Sequence, residues 1–95
     1  MTHGKRIYWL VCYDIRHPRR LARVHRYLKK EGYPVQYSVF MLQADRAAIG
    51  KVLDHLETLI DPDRDDIRAY PIPENTWKAE LGASLLPEDV WITDT

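Results

Sequence analysis

The chain has 95 residues, which is enough for one domain and too few for two. Its apolar fraction of 45% and charged fraction of 29% are ordinary for a soluble globular protein, and no apolar run approaches the roughly 20 residues that cross a bilayer. The single cysteine, Cys12, excludes a disulfide framework and a cysteine zinc site. Because the first residues lack the pattern of a signal peptide, the cytoplasm is the expected compartment.

The net charge of zero hides an asymmetry along the chain. Residues 1–30 hold nine lysines and arginines against one acid, Asp14, whereas residues 31–95 hold five basic residues against thirteen acids. A basic half is typical of a surface that binds a polyanion, and an acidic half suits a basic partner. The alternative is that the two charges lie on opposite solvated faces, and composition does not separate these interpretations.

The first element is a nearly continuous apolar and β-branched run over residues 7–13, which predicts a buried central strand. It ends at Asp14. Pro18 then marks the first turn of a helix, where a missing N–H is tolerated. The helix is expected to run to about Glu31 and to end at Gly32 in the left-handed conformation.

The next apolar stretch, residues 35–42, is long for one strand in so small a domain, so we predict a tight turn near Ser38 that divides it into two strands. Asp45 is the predicted N-cap of a second amphipathic helix that reaches Ile60 and ends before Pro62. A strand over residues 67–72 follows. The order β-α-β-β-α-β predicts an α+β, ferredoxin-like fold over residues 1–73.

Residues 74–95 form a C-terminal extension that this fold does not need. A short strand is predicted around residues 90–93, and its natural partner is the exposed sheet edge of a second subunit. The expected assembly is therefore a homodimer with an exchanged C-terminal strand. The residues predicted to anchor that interface are Trp77, Val90, Trp91 and Ile92.

Asp14 is the strongest candidate for chemistry because it follows an apolar strand where the chain leaves the sheet. A carboxylate there is a hard oxygen ligand suited to Mg²⁺ or Mn²⁺. The alternative is that Asp14 caps the following helix or stabilises the turn. One carboxylate is too little for metal-assisted cleavage of a phosphodiester, but a symmetric dimer would bring two copies of Asp14 to one cleft.

A basic stripe follows on the first helix, made of Arg19, Arg23, Arg26 and Lys30 on one face of the wheel. Cations spaced along a rigid helix reach successive phosphates of a nucleic-acid backbone without reading bases. The alternative is a solvated face, although such faces usually mix both signs. The predicted nucleic-acid contacts are Arg16, Arg19, Arg20, Arg23, Arg26 and Lys30.

Several stretches together resemble the CRISPR-associated Cas2 family. They are Tyr13-Asp14-Ile15, Arg20, Arg23-Val24, Gly32, Val35-Gln36-Tyr37-Ser38-Val39-Phe40, Ile60-Asp61-Pro62 and Asp66-Ile67-Arg68-Ala69-Tyr70-Pro71. The resemblance implies a ferredoxin-like homodimer with a swapped C-terminal strand and with paired Asp14 carboxylates that bind a metal ion at the interface. It also implies a part in spacer acquisition, as a bridge between integrase subunits that clamps a DNA duplex.

Two functions remain open within that family. One is a Mg²⁺-dependent endonuclease that cuts RNA or duplex DNA, and the other is a purely structural DNA-binding scaffold for the integrase. Outside the family, the same fold serves as a small-molecule regulatory domain or an RNA-recognition module. Neither an RNA-recognition aromatic string nor a glycine-rich phosphate loop occurs in the sequence.

Overall fold

The computed structural model describes residues 4–73. Within them, four strands and two helices follow one another in the predicted order. The elements are β1 (Ile7–Asp14), α1 (Pro18–Glu31), β2 (Tyr33–Gln36), β3 (Val39–Ala44), α2 (Arg46–Glu57) and β4 (Asp66–Ile72). No helix in this range is long and apolar enough to span a membrane.

The four strands form one sheet in the order β2-β3-β1-β4, with every neighbouring pair antiparallel. β1 is a central strand, as its apolar run predicts, and it pairs with β3 on one side and β4 on the other. The last pair in the β1–β4 register joins Asp14 to Asp66. This order and connectivity confirm the predicted ferredoxin-like α+β fold.

The sheet has two apolar faces because side chains alternate along each strand. The face towards the helices carries the main core, in which Val11 and Phe40 pack with Val24 and Leu28 of α1 and with Leu56 of α2. The opposite face, called here the open face, carries a second cluster. Its buried members are Leu10, Val35, Met41 and Ile72.

The predicted turn near Ser38 is confirmed, since residues 37 and 38 separate β2 from β3. The predicted N-cap is confirmed as well: Asp45 accepts a hydrogen bond of 2.7 Å from the backbone N–H of Ala48. The second helix ends at Glu57, three residues before the predicted end at Ile60, in a turn where the Thr58 hydroxyl donates to the carbonyl oxygen of residue 55.

Gly32 ends α1 for a different reason from the one predicted. Its φ of −164° is extended backbone that any residue adopts, so the expected left-handed ending is wrong. A Cβ at this position would lie 2.3 Å from the carbonyl oxygen of Met41 and 2.9 Å from Cγ of Leu42. Glycine is needed here because β3 passes too close for any side chain. The predicted C-terminal strand and its interface residues, Trp77, Val90, Trp91 and Ile92, lie outside the described residues.

Candidate metal and nucleic-acid site

Asp14 ends the central strand with its side chain 65% exposed. Alternation along β1 places this side chain on the open face, because Tyr13 belongs to the core beneath the helices. Its register partner on β4 is Asp66, so two carboxylates stand opposite each other at one end of the sheet. Like charges facing across strands destabilise a sheet unless cations compensate them.

Two arginines provide that compensation. The guanidinium of Arg16 lies 3.4 Å from the Asp14 carboxylate, and Nε of Arg68 donates to Asp66 at 2.9 Å. All four side chains are more than half exposed, so these pairs are screened by water and contribute little stability. The result is a group of two carboxylates and two guanidiniums that solvent and ligands can reach.

Asp14 does not cap the helix, so the capping alternative is wrong. The N-cap of α1 is His17, whose Nδ1 accepts a hydrogen bond of 3.1 Å from the backbone N–H of Arg19. Pro18 occupies the first turn, as predicted. The Asp14 carboxylate therefore pairs with Arg16 and stays accessible to a ligand at the end of the sheet.

Asp65 fixes the position of the loop that follows Asp14. Its side chain is fully buried, and its two oxygens accept four hydrogen bonds. Arg20 donates two of them, from Nε at 2.6 Å and from a terminal nitrogen at 3.1 Å. The backbone N–H groups of Arg16 and Asp61 donate the other two, at 2.9 and 2.8 Å. We call this arrangement the Asp65 clip.

The clip leaves Asp65 ionised under all ordinary conditions. The hydrogen bonds from Arg20 hold the pKa of this carboxyl well below its usual range, against the opposing effect of burial, and the two backbone donors add to the lowering. Arg20 thus has two of its five donors committed to a buried carboxylate, with its side chain 22% exposed. In this respect it differs from the other arginines predicted to contact nucleic acid.

The basic stripe lies on the exposed face of α1, opposite the buried residues Val24 and Leu28. Within residues 4–73, the ion pairs involve Arg16, Arg20 and Arg68, and none involves a member of the stripe. The stripe borders a shallow hollow of about 280 Å³ between the two helices. The members that line this hollow are Arg23, Arg26 and Lys30.

The floor of that hollow is aromatic. The ring of Tyr27 on α1 lies 4.3 Å from the ring of His55 on α2, measured between centroids. This contact joins the two helices beside the stripe. The resulting surface combines cations on a rigid helix, which attract a phosphate backbone, with flat rings of the kind on which bases stack.

Sequence reasoning singled out Asp14 and the stripe as candidates but did not single out Asp66, which pairs with Asp14, or Asp65, which binds Arg20. Both belong to an acid-rich turn, residues 61–66, which resembles a solvated loop in the sequence. The available signal was the fold order: the start of a strand that pairs antiparallel with β1 lies near the end of β1, so the acid-rich turn before β4 lies near Asp14. Within the described range, no group of three or more histidine, cysteine or acidic side chains is placed to hold a metal.

The fold and the site together define a small ferredoxin-like domain with strand-end carboxylates at one end of its sheet and a basic first helix. The model of the family described as CRISPR associated protein Cas2 matches residues 7–80. The chain belongs to this family, which confirms the resemblance inferred from its motifs.

Relatives of known name cover most of the chain. This chain is 43% identical over 82 residues to "CRISPR-associated endoribonuclease Cas2 1" of Nitrosomonas europaea, and the match covers 86% of this chain and 78% of that protein. It is 34% identical over 85 residues to "CRISPR-associated endonuclease Cas2 2" of Thermus thermophilus, covering 90% and 91%. Among solved structures, Streptococcus pyogenes Cas2 at pH 6.5 superposes with a TM-score of 0.66 at 30% identity, covering 76% of this chain and 92% of that one.

Proposed function

We propose that this Cas2 protein works in CRISPR spacer acquisition as a cytoplasmic, homodimeric subunit that binds nucleic acid and cleaves phosphodiesters at Asp14 with Mg²⁺ or Mn²⁺. The observation that carries the proposal is the pairing of Asp14 with Asp66 at the end of the sheet, on the face opposite α1 and α2. Similarity to proteins named endoribonuclease and endonuclease supports cleavage of RNA or DNA.

The donor set fits the proposed metal. Mg²⁺ and Mn²⁺ prefer oxygen ligands, and the two exposed carboxylates are oxygen donors on one face. When bound, the ion supplies Lewis-acid activation of the phosphate and of a water molecule. Asp14 and Asp66 would hold it, and the proposed dimer would bring the second copies of both carboxylates to the same cleft.

The arginines beside the carboxylates have their own part in the proposed reaction. Arg16 is 65% exposed beside Asp14, so its guanidinium is accessible to a phosphate bound next to that carboxylate. A fixed cation at that place stabilises the charge that develops on the phosphate oxygens. The stripe holds the backbone further along the helix, with Arg20 keeping the loop in position through the Asp65 clip.

In the proposed homodimer, the exchanged C-terminal strand of one copy pairs with the exposed sheet edge of the other. The side of the sheet opposite the helices carries the buried apolar cluster that includes Leu10, Met41 and Ile72. The resemblance to the family implies that the two copies of Asp14 meet at the dimer interface. The integrase partner that the resemblance implies belongs to this proposal.

A scaffold without cleavage is the second candidate function. It is favoured by the arginine partners, because Arg16 and Arg68 already neutralise both carboxylates without a metal ion. In this case the two ion pairs at the end of the sheet have a structural role only. The stripe alone then binds duplex DNA and so links it to the integrase.

Asp14→Asn separates the two functions, because it keeps the shape of the side chain and removes its charge. We expect it to abolish Mg²⁺- or Mn²⁺-dependent cleavage of RNA and DNA while leaving the affinity for duplex largely unchanged, since the phosphate contacts come from arginines. Asp54→Asn, on the exposed surface of α2, is the matched control. Cleavage by the Asp14→Asn variant at the wild-type rate would show that Asp14 is not the metal site. A wild type that binds duplex but cleaves neither RNA nor DNA would assign the protein to the scaffold function.

A further inference from the structure

The turn between β2 and β3 holds an aromatic side chain in an unusual position. Ser38 has a φ of 67°, the positive value that the second central residue of a type II turn requires, and it is the non-glycine residue with a positive φ within residues 4–73. Glycine or asparagine normally occupies such a position, and a serine there is a strained choice that often marks a functional site.

The turn is anchored to the end of the central strand. The carbonyl oxygen of Ser38 accepts a hydrogen bond of 3.1 Å from the backbone N–H of Tyr13, the residue before Asp14. The neighbouring turn residue, Tyr37, is 98% exposed. The chain therefore fixes the backbone of this turn and leaves a complete phenol ring in solvent, although burying such a ring is normally favourable.

Tyr37 stands over a hollow of about 490 Å³ at this end of the molecule. The opposite wall is the beginning of α1, with the side chains of Pro18, Leu21 and His25. The His25 ring is held edge-on against the buried ring of Phe40, with 5.4 Å between centroids. The hollow is thus open, mainly lined by carbon atoms, and bounded by a rigid helix on one side and by Tyr37 on the other.

The positive charge around the hollow indicates which kind of ligand it binds. The wall of the hollow and the basic stripe belong to the same helix, and the first member of the stripe, Arg19, lies in the same helical turn as Pro18 and Leu21. At the same end of the sheet, Arg16 extends the positive surface towards Asp14. A ligand that matches this surface has a flat apolar part for the hollow and anionic groups for the helix. An unstacked nucleotide has both.

We propose that the Tyr37 hollow binds an unpaired nucleobase of a single-stranded segment, stacked on the Tyr37 ring, while the stripe holds the phosphates of that strand. The inference rests on the proposed binding of nucleic acid and deepens it by naming a single strand as the ligand at this end of the molecule. A base inside a duplex is already stacked on both sides and does not enter the hollow.

The test is equilibrium binding of the full chain to a single-stranded oligonucleotide, to the same strand with abasic sites, and to a duplex of equal length. Stacking on an aromatic side chain contributes enough that Tyr37→Ala is expected to weaken single-strand binding by about 5- to 150-fold. Duplex binding stays unchanged, and Tyr37→Phe retains the wild-type affinity for the single strand. The abasic strand binds the wild type as weakly as the intact strand binds Tyr37→Ala.

A 2-aminopurine placed in the strand gives a second readout, because stacking on Tyr37 quenches its fluorescence. Quenching is expected with the wild type and Tyr37→Phe and is lost with Tyr37→Ala. Tyr33→Ala, which removes another exposed tyrosine from the same hairpin, is the control and leaves both readouts unchanged. Circular dichroism melting of each variant shows that the turn substitution has not unfolded the protein.

Three outcomes overturn the inference. If Tyr37→Ala binds the single strand as the wild type does, the hollow takes no base and is open to another occupant, such as an apolar side chain of a protein. If it weakens single strand and duplex equally, Tyr37 contacts the backbone instead of a base. In both cases the proposed function survives. A wild type that binds no nucleic acid at all overturns the proposed function and the inference with it.

Discussion

Replacing Asp65 by asparagine tests the structural basis of the site most directly. One carboxylate oxygen accepts from the backbone of Arg16 and from a terminal nitrogen of Arg20, and the other accepts from Nε of Arg20 and the backbone of Asp61. An asparagine keeps one of these acceptors and turns the other into an NH₂ group. Whichever way its amide is oriented, two donors then face a third donor inside the protein.

The magnitude follows from burial and from the number of hydrogen bonds that the substitution breaks. The Asp65 side chain is fully buried, and breaking a buried charge pair by removing one partner destabilises a protein by about 3–5 kcal/mol. Arg20 retains some access to water, which moderates the effect, so we expect the lower end of that range, about 3 kcal/mol. Asp63→Asn, in the same loop but exposed, should change the free energy of unfolding by less than about 0.5 kcal/mol.

The assay is urea unfolding of both variants and the wild type, followed by circular dichroism at equal protein concentration. The hydrogen bonds of the Asp65 clip also determine how the free energy of unfolding depends on pH. The pKa of Asp65 in the folded protein lies well below its ordinary value of 3.8, so its contribution is complete above that pH and is lost as the pH falls towards the folded value. The difference between wild type and Asp65→Asn should therefore be constant near neutrality and shrink below about pH 4.

Two results would refute this account. An Asp65→Asn variant as stable as Asp63→Asn would show that the four hydrogen bonds contribute nothing net. A stability difference that stays the same down to pH 2 would show that the ionised carboxylate is not what the donors stabilise.

Two further predictions concern the surface of the protein. Replacing Arg19, Arg23 and Arg26 by alanine should weaken binding to all nucleic-acid sequences alike. The slope of log affinity against log salt should fall by about 0.9 for each duplex phosphate that is no longer neutralised. An unchanged slope in a salt titration would identify the stripe as a solvated face. Truncation after Pro73 should convert the expected dimer into monomer or aggregate in sedimentation experiments, and a truncated dimer of unchanged affinity would contradict the exchanged strand.

The sequence was sufficient for the order of the elements because each one carries its own local signal. Alternating and continuous apolar runs marked the strands, Pro18 marked the start of α1, and Asp45 marked the start of α2. The turn at Ser38 followed from length alone, since the apolar stretch was too long for one strand. Local patterns of this kind do not depend on where the element packs.

The contacts that depend on packing were the ones that sequence reasoning missed. The sequence predicts a left-handed helix terminator at Gly32, whereas the need for glycine comes from the carbonyl of Met41, a residue on β3. Arg20 resembled the members of the basic stripe, and only the position of Asp65, forty-five residues later, shows that its side chain faces a buried carboxylate. A helical wheel shows which side chains share a face, but not what a neighbouring loop brings to that face.

The Asp65 clip also orders events during folding. Its bond to the backbone of Arg16 joins groups 49 residues apart in the chain, and its other partners hold the turn that leads into β4. Contacts of such wide sequence separation form late, because the intervening chain must first be closed into a loop. On a ribosome, β1 and α1 emerge well before Asp65 does. The loop beside Asp14 thus reaches its final geometry only after Asp65, the residue before β4, has been synthesised and has folded back onto the start of α1.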